Sequence, residues 1–253
     1  MKKHAIIFDL DGTAIDSQKQ KVPSGMLVEA IELLKKRYYF SAATGRVWTF
    51  AKSVLQGLHL IDPCIISAGT QICDPVTGHI LWQKTINDVA LRSALRIFEE
   101  NPAYKLLYND SAEDDYFYGG VDPSKFIHTE PVYFLEQIFV PDAIAIPLSK
   151  KLDKVKDVTC IMVVSQKPGC RDLHIVNSLA TKEHAIAELL KLIHIERKNT
   201  TGIGDGHNDI HLFNGTAYKV AMGNAVPELK SLADKVIGHV NRDGMAHYLA
   251  SLM

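Results

Sequence analysis

The chain has 253 residues, 47% of them hydrophobic and 23% charged, with a formal net charge of -1 at pH 7. This composition is typical of a globular protein with one large or two smaller cores, and it excludes disordered, collagen-like and membrane-embedded classes. A net charge this small provides no general field for attracting nucleic acid or an anionic membrane, so we expect a small partner that is bound locally.

The start of the chain and its cysteines predict a cytoplasmic protein. Asp9 and Asp11 interrupt the first apolar run too early for a signal peptide, and no stretch of about eighteen apolar residues predicts a membrane span. The four cysteines show no C-x-x-C spacing and are too few for a disulfide scaffold in a chain of this length. We therefore expect reduced thiols.

The first part of the chain alternates between strand and helix patterns. The continuous apolar run at 5–8 predicts a strand buried on both faces, and apolar residues at helical spacing after Pro23 and Ser24 predict a helix. The next predicted elements are a strand at 38–43, a helix at 47–55 and a strand at 64–67. This order indicates a Rossmann-like, doubly wound parallel sheet.

The alternation is interrupted between about residues 81 and 172 by several prolines and an acidic, aromatic-rich stretch. We interpret 82–172 as an inserted, smaller α+β cap domain, with a helix at 89–98 and strands at 144–146 and 161–164. The α/β core then comprises 1–81 and 173–253. Its later predicted elements are a helix at 182–194, strands at 200–204 and 218–221, a helix at 226–233, a strand at 235–237 and a helix from 244.

Two carboxylates follow the first predicted strand. Asp9 and Asp11 are two residues apart, so strand geometry predicts that both side chains point the same way at the carboxyl end, where open parallel sheets bind ligands. Neighbouring carboxylates are tolerated most easily around a hard cation such as Mg²⁺. Gly12 permits a tight turn after them. Taken alone, the segment fits an ordinary acidic turn equally well.

A second acidic segment, Gly204-Asp205-Gly206-His207-Asn208-Asp209, follows the predicted strand at 200–204. Asp205 would add a third carboxylate to a metal site, and Asp209 would hold a metal-bound water or orient its neighbours. Asn208 can donate hydrogen bonds without adding charge. By itself the segment also fits a capped helix N-terminus.

Two further positions are candidates for binding phosphate. The Thr44 hydroxyl and the backbone N–H groups of Gly45 and Arg46 follow the second strand, where a helix N-terminus would favour an anion. Lys182 opens the helix after the insertion, where its ammonium would neutralise charge on a nucleophile and a phosphate. Singly, such residues are more often caps or solvated surface groups.

Together, these segments resemble the four motifs of the haloacid dehalogenase superfamily, in the same order. They are Asp9-Leu10-Asp11-Gly12-Thr13, Thr44-Gly45-Arg46, Lys182 and the segment from Gly204 to Asp209. The stretches at 221–225, 233–234 and 243–244 resemble the Cof-type branch, which carries a C2-type cap between the second and third motifs. The resemblance covers nearly all of the predicted core and is weak in the insertion.

The resemblance implies a Mg²⁺-dependent phosphatase that acts on a small phosphorylated metabolite, with sugar phosphates as the first expectation. Asp9 would form an aspartyl-phosphate, and Asp11 would protonate the leaving alcohol and then activate water. The Mg²⁺ ligands would be Asp9, the backbone carbonyl of Asp11 and Asp205, with Asp209 in support. The phosphoryl group would be held by Thr44, Gly45, Lys182 and Asn208.

Several alternatives remain open at this stage. A phosphomutase uses the same aspartyl-phosphate, and Glu183, which stands where the family often has glycine, leaves open a non-catalytic phospho-ligand-binding protein. Asp11 argues against relatives that pump ions or remove halides, which lack this aspartate. A dinucleotide loop at 202–206 and a zinc pair of His207 and His211 are weaker interpretations.

Overall fold

The computed structural model describes residues 2–16, 22–99, 106–110, 130–165 and 167–253. It divides the chain into two compact units. The first contains Met1–Trp82 and Lys182–Met253, and the second contains Gln83–Thr181. The acidic run at 113–115, which the sequence predicts as a solvated loop, lies outside the described residues.

The described strands and helices follow one another along the chain in a mixed α/β order. The strands are β1 (His4–Phe8), β2 (Tyr38–Ala42), β3 (Cys64–Ile66), β4 (Gln71–Cys73), β5 (Ile80–Gln83), β6 (Leu106–Tyr108), β7 (Leu135–Pro141), β8 (Val158–Val164), β9 (Cys170–Asn177), β10 (Thr200–Gly204), β11 (Tyr218–Ala221) and β12 (Lys235–Val236). The helices are α1 (Gly25–Leu34), α2 (Trp48–Gly57), α3 (Asp88–Glu99), α4 (Asp142–Leu152), α5 (Lys182–Leu192), α6 (Ile210–Gly215), α7 (Pro227–Ser231) and α8 (Gly244–Ala250).

The first unit is built on a parallel sheet with the strand order β12-β11-β10-β1-β2. The chain runs from β1 to β2 in one direction and later resumes with β10 on the other side of β1. The strand order therefore reverses between β1 and β10. Ala5 to Phe8 are fully buried, which explains why β1 is apolar without alternation. A reversal of this kind opens the crevice in which doubly wound sheets bind ligands.

The predicted third strand does not extend this sheet as a regular neighbour. β3 pairs antiparallel with β4 in a separate three-stranded sheet, and a single parallel bridge joins Ala43 to Ile65. The N–H of Thr44 donates to the Ile65 carbonyl at 3.0 Å. This short contact fixes the loop that follows β2 against the end of β3.

The second unit is an α+β unit, as the sequence predicts. Its antiparallel sheet has the order β6-β7-β9-β8, and its apolar core contains residues of α3, α4 and all four of these strands. Two details of the prediction are wrong. Residues 144–146 lie in helix α4, not in a strand: Ala145, Leu148 and Leu152 are buried at the three- and four-residue spacing of a helix, a period that three residues are too few to reveal.

The predicted end of the insertion is also displaced. A division after residue 172 would cut β9, which pairs with both β7 and β8, so the second unit continues to Thr181.

Cys64, Cys73, Cys160 and Cys170 are buried free thiols. Among the described residues, no helix combines the length and the apolar character that crossing a membrane requires.

Candidate active site

The carboxyl ends of β1 and β10 bring two acidic segments side by side. Phe8 is in register with Ile203, and the Asp9 N–H donates to the Ile203 carbonyl at 3.0 Å. Asp9 therefore lies directly after the last residue of β1, next to the Gly204–Asp209 segment. Both segments lie at the point where the strand order reverses.

A buried lysine connects these segments. Lys182, at the first position of α5, is 3% exposed, and its Nζ donates to Oδ1 of Asp9 and to Oδ1 of Asp209, both at 2.7 Å. Burial alone would lower the pKa of Lys182, but the carboxylates of Asp209 and Asp9 offset it and hold this pKa above its ordinary value. The ammonium is therefore positively charged at neutral pH.

Asp209 also holds the loop in which it lies. Its side chain is fully buried, and its second oxygen, Oδ2, accepts the N–H groups of Asp205 and Gly206, both at 2.9 Å. Gly204 is required beside it, because a Cβ there would lie 2.6 Å from Cβ of Asp209. Asp209 thus positions both the Lys182 ammonium and the backbone of Asp205.

Three carboxylates form a compact acidic cluster. Oxygen atoms of Asp9, Asp205 and Asp209 all lie within 4.8 Å of one another. Burial and the neighbouring Asp209 raise the pKa of Asp205 to about 7, and burial is the largest cause of the raised pKa of Asp9. When ionised, three carboxylates against one ammonium leave an excess of two negative charges. An all-oxygen donor set with this charge fits a hard divalent cation.

The turn after Asp9 is shaped to approach Asp205. Gly12 has φ +86°, and a Cβ there would collide with the Asp205 carboxylate. Thr13 donates its hydroxyl to Oδ1 of Asp205 at 2.8 Å. A side chain at position 12 would therefore be strained and would displace a member of the acidic cluster.

The Asp11 side chain is not one of the three clustered carboxylates. It pairs with Arg46 in a two-pronged contact, Nε to Oδ2 at 2.8 Å and Nη2 to Oδ1 at 2.6 Å. The sequence predicts that Asp9 and Asp11 act as one carboxylate pair, whereas Asp9 binds the Lys182 ammonium and Asp11 binds the Arg46 guanidinium. The reason is local: β1 ends at Phe8, and the chain then turns, with the N–H of Ile15 donating to the Leu10 carbonyl.

The Thr44–Arg46 loop is tightly bonded within itself. Thr44 is 1% exposed, and its Oγ1 accepts the Arg46 N–H at 3.1 Å. The sequence predicts that this N–H binds phosphate, but in the structure it already donates to the Thr44 side chain. The Thr44 hydroxyl hydrogen and Gly45 remain candidates for that role.

Asn208 and Glu183 occupy different surroundings. Asn208 is half-buried in the 3₁₀ turn His207–Asp209. The Glu183 carboxylate accepts from Nδ2 of Asn214 at 3.3 Å, so it is directed toward α6 and not toward the Lys182 ammonium. Neither His207 nor His211 belongs to the acidic cluster; within the described residues they face Glu228 and Glu183 at 3.7 and 3.8 Å.

Sequence reasoning missed the interaction of the Arg46 guanidinium and the position of Asn224. Asn224 Nδ2 donates to the Gly12 carbonyl at 2.7 Å and to Oδ2 of Asp205 at 3.3 Å, while its Oδ1 accepts the Val240 N–H at 2.9 Å. It therefore ties the Gly12 turn to the acidic cluster. The sequence signal for Asn224 is the stretch at 221–225, which resembles the Cof-type branch but does not predict these contacts.

Comparison with known proteins agrees with this fold. The family model described as haloacid dehalogenase-like hydrolase matches residues 6–249. A relative from Bacillus subtilis, 5-amino-6-(5-phospho-D-ribitylamino)uracil phosphatase YwtE, is 24% identical over 98% of this chain and 97% of its own length. A solved haloacid dehalogenase-like hydrolase from B. subtilis has a TM-score of 0.81 at 21% identity, covering 99% and 100% of the two chains. The subclass IIB sugar phosphatase BT4131 has a TM-score of 0.76 at 20% identity, covering 99% of both chains.

The chain belongs to the haloacid dehalogenase-like hydrolase family, in its Cof-type branch. Family membership and the names of its relatives support a phosphoric monoester hydrolase. The predicted fold class, a doubly wound α/β core with an inserted smaller α+β unit, is confirmed.

Proposed function

We propose that this protein is a Mg²⁺-dependent phosphatase that removes phosphate from a small phosphorylated metabolite through an aspartyl-phosphate on Asp9. The observation that carries the proposal is the arrangement of buried Asp9, Lys182 and Asp209 with half-buried Asp205, at the point where the strand order of the sheet reverses. It combines a carboxylate nucleophile, a fixed ammonium and a surplus of negative charge that suits a divalent cation.

Asp9, Asp205 and the backbone carbonyl of Asp11 would hold Mg²⁺, with Asp209 supporting the site from the position in which it already anchors Lys182 and the Asp205 backbone. When bound, the ion would supply Lewis-acid neutralisation of the phosphoryl oxygens and of the attacking carboxylate. Its divalent charge matches the excess of two negative charges. Mg²⁺ is preferred over softer metals because every donor in this set is an oxygen.

The chain's own residues would perform two displacements at phosphorus. In the first, an Asp9 oxygen bonds to phosphorus as the ester P–O bond breaks, and the Asp11 carboxyl gives its proton to the departing alkoxide. In the second, a water oxygen bonds to phosphorus, Asp11 takes the proton from that water, and the bond to Asp9 breaks to release phosphate. Lys182 keeps Asp9 in place throughout, and Thr44, Gly45 and Asn208 would bind the phosphoryl oxygens.

The substrate proposal rests on relatives and on the inserted unit. YwtE is named for a compound that carries phosphate on a ribityl group, and BT4131 is described as a sugar phosphatase. We therefore place a sugar or polyol phosphate first. The unit Gln83–Thr181 would serve as the cap that selects this substrate and excludes bulk water.

The test is phosphate release from a panel of sugar phosphates, nucleotides and phosphorylated vitamins, with Mg²⁺ and with a chelator. Asp9→Asn should abolish turnover, while Asp142→Asn, an aspartate at the first position of α4 in the other unit, should retain it. Phosphate release by Asp9→Asn at the wild-type rate, or no release by the wild type on any substrate, would refute the proposal. Product analysis separates the alternatives: an isomerised sugar phosphate with little free phosphate identifies a phosphomutase, and binding without turnover identifies a binding protein.

A further inference from the structure

We propose that Arg46 is a positioning residue that orients the Asp11 carboxyl group for proton transfer to the leaving group. This inference rests on the proposed function, in which Asp11 is the acid and then the base. It assigns to Arg46 a task separate from binding phosphate. Three observations support it: the two-pronged contact, the fixation of the Arg46 backbone and the strain in the segment that fixes it.

The contact is a complete guanidinium–carboxylate fork. Nε and Nη2 of Arg46 each bind one Asp11 oxygen, at 2.8 and 2.6 Å. A third donor, Nη1, binds the Phe50 carbonyl at 3.1 Å in helix α2. Because the guanidinium is planar and held at three points, it fixes the plane of the carboxylate as well as its position.

The backbone of Arg46 is held from both sides. Its N–H donates to Oγ1 of Thr44 at 3.1 Å, and its carbonyl accepts the N–H of Ser67 at 2.8 Å. The Thr44 carbonyl accepts the N–H of Ala68 at 3.1 Å, which ties the same two segments together a second time. The arginine therefore extends from a fixed loop toward the turn that carries Asp11.

The segment that provides these bonds is strained. Ser67 and Ala68, both buried, have φ of +52° and +59°, in the left-handed region that side chains other than glycine and asparagine rarely adopt. A conformation of this kind persists only where the surrounding contacts impose it, and such segments cluster at functional sites. Here the strain accompanies the two bonds to the Thr44–Arg46 loop.

Asp11 needs such support because of where it lies. Its side chain is 36% exposed and sits in the turn before Gly12, whereas Asp9 is buried against Lys182. An exposed carboxylate without a partner would sample several rotamers, and only some would direct an oxygen at the leaving group. A misplacement of about 1 Å in a catalytic group can reduce the rate roughly 10²-fold.

The experiment exploits the dependence of acid catalysis on the leaving group. We compare kcat/KM for the best sugar phosphate in the panel with kcat/KM for 2,4-dinitrophenyl phosphate, whose phenolate departs without a proton. Arg46→Met should lower kcat/KM for the sugar phosphate by about 10²-fold while changing it little for the aryl ester. kcat/KM is the correct quantity because it reports the steps up to departure of the leaving group and not the later hydrolysis.

A double-mutant cycle with Asp11→Asn supplies the second readout. If Arg46 acts through Asp11, the sugar-phosphate losses of the two single variants should not add in Arg46→Met/Asp11→Asn. The matched control is Arg171→Met. Arg171 lies in the other unit, is about as exposed as Arg46 and pairs with Asp142 at 3.0 Å. The Arg171→Met variant should behave as wild type on both substrates.

The remaining outcomes overturn the inference in distinct ways. Equal losses on both substrates with an increase in KM would assign Arg46 to phosphate binding, and equal losses accompanied by a lower melting temperature would assign it to the fold alone. Unchanged activity would show that Asp11 needs no such partner. In each case the wild type and Asp11→Asn would still report on the proposed function, which fails separately if the wild type hydrolyses neither ester.

Discussion

Replacing Lys182 with methionine should destabilise the metal-free protein by about 3–5 kcal/mol near pH 8. Lys182 is 3% exposed and donates 2.7 Å bonds to two carboxylates, Asp9 and Asp209, that are themselves buried. Methionine fills nearly the same volume but supplies neither the charge nor the donors. Removing one partner of a buried ion pair leaves uncompensated charge, which typically costs about this amount.

The loss should depend on pH in a direction that the site determines. Burial and neighbouring carboxylates already raise the pKa of Asp9 above its ordinary value of 3.8 while Lys182 is present, and removing the ammonium raises it further. Between about pH 5 and pH 8, Asp9 of the folded variant therefore binds a proton that Asp9 of the unfolded chain has lost. The stability of the variant falls as the pH rises through this range. The deficit relative to wild type should therefore be largest near pH 8 and shrink toward about pH 5.

The assay is urea unfolding of wild type and variant at several pH values in the presence of a chelator. Lys191→Met is the matched control on the same helix: Lys191 is 70% exposed and pairs with Glu188, so its loss should cost less than about 0.5 kcal/mol. Adding Asp209→Asn to Lys182→Met should recover part of the deficit. A deficit below about 1 kcal/mol near pH 8, or one that grows as the pH falls, would refute this account of the site.

Three further predictions concern the acidic cluster and the turn beside it. Mg²⁺ affinity, measured by calorimetry, should fall as the pH drops below the Asp205 pKa of about 7, because a bound proton competes with the ion; an affinity independent of pH between about 6 and 8 would contradict this. Gly12→Ala should lower both the melting temperature and the Mg²⁺ affinity, because position 12 has φ +86° and the new Cβ would collide with the Asp205 carboxylate. Gly169→Ala, where φ is also positive but no atom lies within 4 Å of the new Cβ, should lower only the melting temperature. Asn224→Ala should cost about 1–3 kcal/mol in urea unfolding, because it leaves the Gly12 carbonyl and the Val240 N–H without their partner.

The sequence predicted the parallel core well because its central strands, β1 and β10, are buried on both faces. β10 and β11 match the predicted bounds, and β1 begins one residue earlier than predicted, since continuous apolar runs mark such strands clearly. The meeting of Asp9 with Asp205 follows from the same feature: two acidic segments that each follow a parallel strand must lie at one edge of the sheet. Their exact contacts did not follow from it.

The features that the sequence did not predict depend on contacts between distant segments. The sequence did not predict β9. Because β9 pairs with β7 and β8, the second unit ends at Thr181 and not at the predicted residue 172. The Arg46–Asp11 contact joins residues 35 apart, and the Asn224 bond to Gly12 joins residues 212 apart. A periodic pattern reports which face of an element is buried, but it carries no information about which polar side chain another loop will present.

The pairing of charges explains how four neighbouring carboxylates can take different tasks. Asp11 and Arg46 neutralise each other, whereas Asp9 and Asp209 share the ammonium of Lys182, and together with Asp205 they form a cluster with an excess of negative charge when ionised. A divalent cation would therefore be attracted to the three clustered carboxylates and not to the Asp11 carboxylate. The Asp11 carboxyl group would be left free of a metal bond, although the Asp11 backbone carbonyl would bind the ion, and this carboxyl group would exchange a proton with the reacting oxygen atoms.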